Sequence, residues 1–123
     1  MKRGEISVSE KKIMIAPVDG TVWLSAWEIA KIFEVFPAKV TSNIRSILKS
    51  GVFWIDDVCY CHHYANGGCV DLYNLEMITA LAFRINSPKA ELFRKWLMRK
   101  AVEVEAKTSP TVLFYNATLE LTS

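Results

Sequence analysis

Long apolar runs are missing from this sequence of 123 residues, although 51% of its residues are hydrophobic. No segment approaches the roughly 20 consecutive apolar residues that a membrane-spanning helix requires. The first twelve residues, MKRGEISVSEKK, are mostly charged or polar and do not resemble a secretory signal. We therefore expect a cytoplasmic protein with no membrane partner, in which the hydrophobic residues form the core of a single domain.

Cysteine is also scarce, with only Cys59, Cys61 and Cys69. An odd number of cysteines in a cytoplasmic protein indicates free, buried thiols rather than disulfides. The order C-x-C-H-H, followed later by Cys69, offers zinc ligands as well, but Cys59, Cys61 and His63 would share one face of a strand, whereas structural zinc sites usually take paired ligands from turns. We expect hairpin packing and no metal or cofactor, with zinc as the alternative. A Cys–His nucleophile pair would lack an orienting third residue, so no enzyme activity is assigned.

Positive charge is weak in total and unevenly distributed. The net charge is only +2, which by itself does not indicate nucleic-acid binding. Residues 51–83 contain four acidic side chains and no lysine or arginine, whereas residues 84–107 contain seven basic and three acidic ones. Residues 21–50 contain four basic and two acidic side chains. The chain is therefore electrically segregated, and the distribution of charge is more informative than its sum.

Residues 25–51 have the pattern of two short helices joined by a tight turn. Ser25 and Glu28 form a capping-box sequence, in which the Ser25 side chain accepts the Glu28 N–H and the Glu28 side chain reaches back to the Ser25 N–H. Apolar residues then recur at three- and four-residue steps and form one stripe, made of Ala26, Ile29, Ala30, Ile32 and Phe33.

The second helix of the pair is predicted from Pro37 to Ser50. Pro37 suits a first turn because its missing N–H would be unpaired there, and Gly51 can end the helix in a left-handed cap. The apolar stripe of this helix consists of Val40, Ile44, Ile47 and Leu48.

The opposite face of this second helix carries donors that can reach phosphates and base edges. We assign phosphate contacts to Arg45 and Lys49, and base-edge contacts to Ser42 and Asn43. The alternative is a pair of amphipathic helices in any small helical core, with a solvated polar face. The predicted DNA-binding residues are Lys39, Thr41, Ser42, Asn43, Arg45 and Lys49.

Two hairpins are predicted around the helix pair. The first joins Ile13–Pro17 to Thr21–Leu24 through Asp19-Gly20, a dipeptide suited to the positive φ angles of a tight turn. The second joins Val58–Tyr64 to Cys69–Tyr73. Because it follows the helix pair directly, this second hairpin has the position of a wing.

Two further helices are predicted in the C-terminal half. One begins after Asn74 as N-cap and ends before Arg84, and a long one follows Ser87 as N-cap and extends over about residues 89–106. Residues 1–107 then form the domain, and residues 108–123 an extended tail. Most aromatic side chains, including Trp27 and Phe83, are expected in the core, whereas Trp54 is expected at the surface. The inward-facing residues of the long helix are expected to be Leu92, Phe93, Trp96, Leu97, Ala101 and Val104.

Three segments, VWLSAWEIAKIF, VTSNIRSILKSG and YNLEMITALAFRINSPKAELFRKW, resemble the RhuM-type bacterial DNA-binding proteins. That family is related to the KilA-N and BRO N-terminal modules of phage antirepressors. The resemblance extends from about Val22 to Val102 and implies a winged helix-turn-helix that binds DNA, without known catalytic activity. The family usually has glycine where this sequence has Glu34, so a positive φ there would cost on the order of 1 kcal/mol.

The predicted fold class is therefore α+β, a winged helix-turn-helix with short β-hairpins and a long C-terminal helix. The predicted function is binding of double-stranded DNA, in a sequence-specific or structure-tolerant way, for transcriptional regulation. The alternative is a protein-interaction module in an antirepressor-like complex, which would use Phe36, Trp54 and the tail. We also expect a homodimer joined by the long helix and the tail, although the tail could instead fold onto the N-terminal hairpin.

Overall fold

The computed structural model describes residues 2–108, with side chains as far as Val104. Its secondary structure is mixed, with small antiparallel sheets, which confirms the predicted α+β class at that level. Among these residues, no helix is both long enough and apolar enough to cross a membrane. The elements are β1 (Glu5–Val8), β2 (Ile13–Ala16), β3 (Leu24–Ser25), α1 (Ala26–Phe33), α2 (Pro37–Lys49), α3 (Ile55–Val58), β4 (Cys59–His63), β5 (Cys69–Tyr73), α4 (Leu75–Ala82) and α5 (Pro88–Thr108).

The hydrophobic core lies where α1, α2, α4 and the first half of α5 meet. The predicted stripes of α1 and α2 are confirmed as its inner faces. Phe33 and Phe93 are fully buried, and their rings meet edge to face with centroids 5.6 Å apart. That geometry is favourable for aromatic pairs and joins α1 to α5. The buried residues of the two stripes are Ile29, Ala30, Phe33, Val40, Ile44 and Ile47.

The predicted capping box at the start of α1 is present. Glu28 N donates to Ser25 Oγ at 3.2 Å, and Ser25 N donates to Glu28 Oε1 at 2.9 Å. Arg3 adds a two-pronged ion pair to the same carboxylate, at 2.6 and 3.2 Å. Partial burial acts to raise the pKa of Glu28, but the hydrogen bonds from Arg3 and the Ser25 backbone outweigh it and lower that pKa. The ion pair thereby attaches the N-terminal segment to α1. Because the pKa of Glu28 is lowered in the fold, this stabilisation is fully present at pH values above the ordinary pKa of a carboxylate and is lost as the pH falls.

The turn between α1 and α2 takes the left-handed conformation that was anticipated as costly. Glu34 has φ 54° and ψ 50°, and the next N–H, of Val35, donates back to Ala30 O at 3.0 Å. This is the hydrogen-bond pattern of a Schellman-type helix end, which most often uses glycine at the left-handed position. At the end of α2, Gly51 supplies the expected positive φ of 80° without a side chain.

Replacing Glu34 with glycine is expected to stabilise the protein. Glycine removes the left-handed strain but increases the freedom of the unfolded chain, so we expect a net gain of about 0.5–1 kcal/mol in the free energy of unfolding. Lys31→Gly, in the exposed last turn of α1, is the matched control and should lose about 1 kcal/mol. Chemical denaturation of both variants measures this. If Glu34→Gly lowers the free energy of unfolding as much as the control does, the left-handed conformation of Glu34 is not strained.

Ser87 connects the end of α1 to the start of α5. Its buried hydroxyl donates to Phe33 O at 2.8 Å and accepts the N–H of Ala90 at 3.1 Å. The predicted N-cap is therefore confirmed, and α5 begins at Pro88. The bond to Phe33 O was not predicted, and it satisfies one of the carbonyls that the end of α1 leaves without a helical partner.

Substituting alanine for Ser87 should destabilise the fold by about 2 kcal/mol, because it removes an N-cap and leaves a buried carbonyl unpaired. Ser42→Ala, at an exposed position of α2, should change the free energy of unfolding by less than about 0.5 kcal/mol. Thermal and denaturant unfolding of the two variants compares these effects. Equal small changes would show that the Ser87 hydroxyl does not stabilise the contact between α1 and α5.

The predicted N-terminal hairpin is partly wrong. Residues 13–16 do form a strand, but their antiparallel partner is β1, with Ile6 opposite Ile15. Asp19 and Gly20 form the expected turn, with φ angles of 53° and 82°, yet only a single bridge between Val18 and Thr21 extends from it. The sequence pattern identified the turn correctly, but tertiary pairing directs the strands on either side of it elsewhere.

The second sheet has the order β3-β5-β4. The short strand β3 pairs with β5, placing Leu24 opposite Tyr73, and β5 pairs with β4 over its whole length. The predicted second hairpin is confirmed, except that Val58 ends the short helix α3 instead of beginning the strand. Since Ser25 is both the last residue of β3 and the N-cap of α1, the sheet fixes the position at which the helix pair begins.

The long helix leaves the core earlier than predicted. Phe93 is buried and Leu92, Trp96 and Leu97 are half-buried, but Ala101 and Val104 are exposed. Burial of the aromatic residues was also overestimated, since Trp27 is 74% and Phe83 54% exposed, while the expected exposure of Trp54 is confirmed.

The predicted tail began at residue 108, but Thr108 is the last residue of α5, and residues 109–123 lie outside the described residues.

Candidate functional site

The outer face of α2 is the strongest candidate surface. Lys39, Ser42, Arg45 and Lys49 are exposed, as the helical periodicity predicted. The helix contains no acidic residue, and none of the ion pairs among the described residues involves its three cations. These side chains are therefore free to contact an anionic ligand. We call the six predicted DNA-binding residues, together with Ser46, the α2 face.

Two members of the α2 face are less available than the sequence suggested. Thr41 and Asn43 are half-buried and bond to their own helix, Thr41 Oγ1 to Ala38 O at 3.2 Å and Asn43 Nδ2 to Lys39 O at 2.8 Å. Such local bonds compete with an external acceptor. Asn43 would have to break its bond before its amide could donate to a base edge, whereas Ser42 is exposed and has no such bond.

Arg84 joins the α2 face from a distant part of the sequence. It follows α4, and its Nη1 donates to Ser46 Oγ on α2 at 2.8 Å. Its side chain is exposed, so the guanidinium keeps further N–H groups directed to solvent. The sequence interpretation missed Arg84 because it used that residue only to mark the end of a helix. Nothing in the local pattern connects it to a position 38 residues earlier.

The nearby Arg94 has a structural role. Its Nη1 donates to Ala82 O at 2.6 Å and to Ile85 O at 2.9 Å, so it holds carbonyls at the end of α4. A cation at a helix C-terminus is favourable because the last carbonyls are unpaired and carry partial negative charge. The basic residues in this part of the chain therefore differ in role, and sequence composition alone does not separate them.

The first turn of α2 presents apolar surface. Phe36 is the N-cap without a side-chain cap, Pro37 follows, and the Phe36 ring is 85% exposed. Beside it, Trp27 and Val35 line a shallow depression with Pro37. In helix-turn-helix proteins this end of the second helix normally meets base edges, where apolar groups can contact thymine methyls. The same surface is also suitable for a protein contact.

The hairpin formed by β4 and β5 is acidic together with the short helix α3 before it, which carries Asp56 and Asp57. Asp56, Asp57 and Asp71 are exposed, and no lysine or arginine lies between residues 51 and 83. These carboxylates would repel the phosphates of a duplex. The hairpin is therefore present as predicted, but its charge does not suit a DNA-contacting wing.

The cysteines of this hairpin are not the buried thiols that the sequence indicated. Cys61 and Cys69 are exposed and Cys59 is half-buried. Burial raises the pKa of Cys59 and raises that of its neighbour Tyr73 to about 12, with Asp71 adding to both. The hydrogen bond with Cys69 raises the pKa of Cys61. Cys61, His63 and Cys69 lie together, with their ligand atoms all within 4.8 Å of one another.

Comparisons of the chain with protein-family models, with curated proteins and with solved structures found no match. The resemblance to the RhuM-type proteins therefore stays a prediction.

Proposed function

We propose that this chain binds double-stranded DNA through the α2 face and Arg84, as a component of transcriptional regulation. The observation that carries the proposal is the group of exposed cations, Lys39, Arg45, Lys49 and Arg84, on and beside a helix without carboxylates. Phosphate contacts provide most of the affinity of such interfaces, and lysine and arginine make them. Ser42 is the side chain best placed to reach a base edge.

The arrangement of the elements supports a winged helix-turn-helix scaffold for this proposal. Two helices separated by a three-residue turn are followed by an antiparallel hairpin, and a short strand before the helices pairs with the second strand of that hairpin. The sheet thus fixes the start of α1, and packing against α1 and α4 gives α2 a fixed orientation. In helix-turn-helix proteins the second helix enters the major groove.

In this proposal the hairpin stays away from phosphates. The exposed carboxylate of Asp71 on the hairpin, those of Asp56 and Asp57 on the adjoining α3, and the lack of lysine or arginine in both elements make close approach to the duplex unfavourable. The expected DNA contact is therefore narrow and limited to α2 and the residues beside it. A contact of this size favours weak or structure-tolerant binding by one copy, because specific protein–DNA interfaces are usually larger.

Replacing Arg45 and Lys49 together with alanine should weaken binding to duplex DNA. Each phosphate contact contributes about −0.9 to the slope of log affinity against log salt concentration, so losing two should make the slope shallower by about 1.8. Fluorescence anisotropy over a range of salt concentrations measures both affinity and slope. Arg84→Ala should make the slope shallower by about half as much.

The matched control is the double variant Lys11→Ala and Lys12→Ala, which removes the same charge from the exposed turn between β1 and β2. It should retain the slope of the unmodified chain, because that turn is not part of the α2 face. If both double variants weaken binding equally, the effect comes from net charge and the assignment of α2 is wrong. Unchanged affinity and slope in the α2 variant would contradict the proposal directly.

The protein-interaction alternative is favoured by one observation, the exposed Phe36 next in sequence to Val35 and Pro37, which line a shallow depression together with the exposed Trp27. Large exposed apolar groups that lie close together are typical of partner contacts. This alternative predicts that binding to the natural partner depends weakly on salt and is lost in Phe36→Ser. The proposed DNA contact predicts the opposite: binding should depend strongly on salt concentration and on Arg45, and only weakly on Phe36.

Dimerisation is part of the proposal because two copies could read two half-sites about one helical turn of DNA apart. The exposed apolar residues Met98 and Val102 on the outer half of α5 are compatible with such a contact. Light scattering should give the mass of a dimer for the full chain at tens of micromolar, and of a monomer after truncation at Lys107. A monomeric full chain would contradict dimerisation, and an unchanged dimer after truncation would place the interface on the helices.

A further inference from the structure

We propose that the hairpin of β4 and β5 binds a zinc ion through the thiolates of Cys61 and Cys69 and a ring nitrogen of His63, with solvent in the fourth position. This inference is independent of the DNA-binding proposal. The three residues, which we call the Cys–His cluster, are all exposed and have their ligand atoms within 4.8 Å of one another.

The register of the hairpin explains how the cluster forms. Side chains at alternate positions of a strand share a face, so Cys61 and His63 project from the same side of β4. His63 stands opposite Cys69 on β5, and Cys61 stands opposite Asp71. Cys69 is therefore the direct cross-strand neighbour of His63 and the diagonal neighbour of Cys61, at a separation that side chains on one face can bridge.

The hairpin turn keeps His63 and Cys69 together. Tyr64 N donates to Gly68 O at 2.8 Å, Gly67 N donates to Tyr64 O at 3.1 Å, and Gly68 N donates to the Asn66 side chain at 2.9 Å. Gly67 adopts a positive φ of 91°, which closes the loop without side-chain strain. Two of the three ligands are thus brought together by backbone hydrogen bonds, before any metal is present.

The distances suit zinc after small side-chain rotations. Zn–S bonds of about 2.3 Å and Zn–N bonds of about 2.0 Å in a tetrahedral site place neighbouring ligand atoms about 3.5–3.8 Å apart. The cluster needs to contract by about 1 Å, which rotations about χ1 of exposed side chains can provide. Two thiolates and an imidazole favour Zn²⁺ over Mg²⁺ or Ca²⁺, which prefer oxygen ligands.

The sequence offered Cys69 as a later zinc ligand, but the spacing was judged on Cys59, Cys61 and His63 along one strand, where the outer pair is four residues apart. In the structure Cys59 lies opposite Tyr73, away from the turn, and Cys69 takes its place beside His63. The proposed site therefore depends on the pairing between the strands, and it revises the expectation that no metal binds.

Cobalt titration of the full chain is the first test. The chain is stripped of metal with a chelator, reduced with a phosphine and titrated with Co²⁺, which is a spectroscopic substitute for zinc. We expect one equivalent to produce thiolate-to-cobalt absorption and the visible bands of a tetrahedral complex, and one equivalent of Zn²⁺ to abolish both. An excess of Mg²⁺ should leave the spectrum unchanged. Failure to form a 1:1 thiolate complex would overturn the proposal.

Variants of the cluster test which residues bind. We expect a large loss of zinc affinity in each of three variants, Cys61→Ser, Cys69→Ser and His63→Ala. Loss of an outer-shell partner lowers metal affinity by roughly 10–100-fold, and loss of a direct ligand should lower it by more. Cys59→Ser and His62→Ala are matched controls from the same strand, and they should retain the affinity. Unchanged binding in Cys61→Ser or Cys69→Ser, or an equal loss in the two controls, would refute the assignment.

A measurement on the unmodified chain avoids any folding defect of the variants. Zinc should slow the alkylation of Cys61 and Cys69, and it should change the alkylation rate of Cys59 much less. Peptide mass spectrometry monitors the three rates. Equal rates at Cys61 and Cys69 with and without zinc would contradict the site. DNA binding of the Arg45 and Lys49 double variant is measured separately, so the two proposals can fail independently.

Discussion

The buried hydroxyl of Ser87 is a contact on which the orientation of the helix pair depends. It connects the last carbonyl of α1 to the first turn of α5 and lies beside the edge-to-face pair of Phe33 and Phe93. The chain reverses at Glu34 only one residue after this contact, and α2 begins at Pro37. The direction of α2 therefore follows from how the end of α1 is held. The contact acts together with the burial of Val40, Ile44 and Ile47, which sets how the polar face of α2 lies relative to the rest of the surface.

Fixing α2 also determines which cations are free. Burial of Val40, Ile44 and Ile47 against the core turns the opposite side of the helix to solvent, and Arg84 reaches that side from the end of α4. Arg94, only ten residues further on, is used inside the fold to satisfy carbonyls. The difference between a ligand-facing and a structural arginine is thus a matter of packing, since both lie in the same basic stretch of sequence.

The two proposed sites have opposite electrostatic character. The α2 face collects cations on a helix without carboxylates, whereas the hairpin and the adjoining α3 have exposed aspartates and no lysine or arginine. A polyanion and a divalent cation would therefore be attracted to different parts of the same small domain. The separation follows from the charge segregation along the chain, because the acidic segment 51–83 folds largely into its own hairpin and short helices.

The sequence by itself determined the elements whose signals are local. The capping box of Ser25 and Glu28, the apolar stripes of α1 and α2, the second hairpin and the N-cap at Ser87 depend on residues a few positions apart, and all were predicted correctly. Tertiary structure decided what depends on distant partners. It paired residues 13–16 with β1, placed Arg84 beside Ser46 and exposed the outer half of α5. Hydrophobic periodicity reports the inner face of an element, but it carries no information about which other element that face or its neighbours will meet.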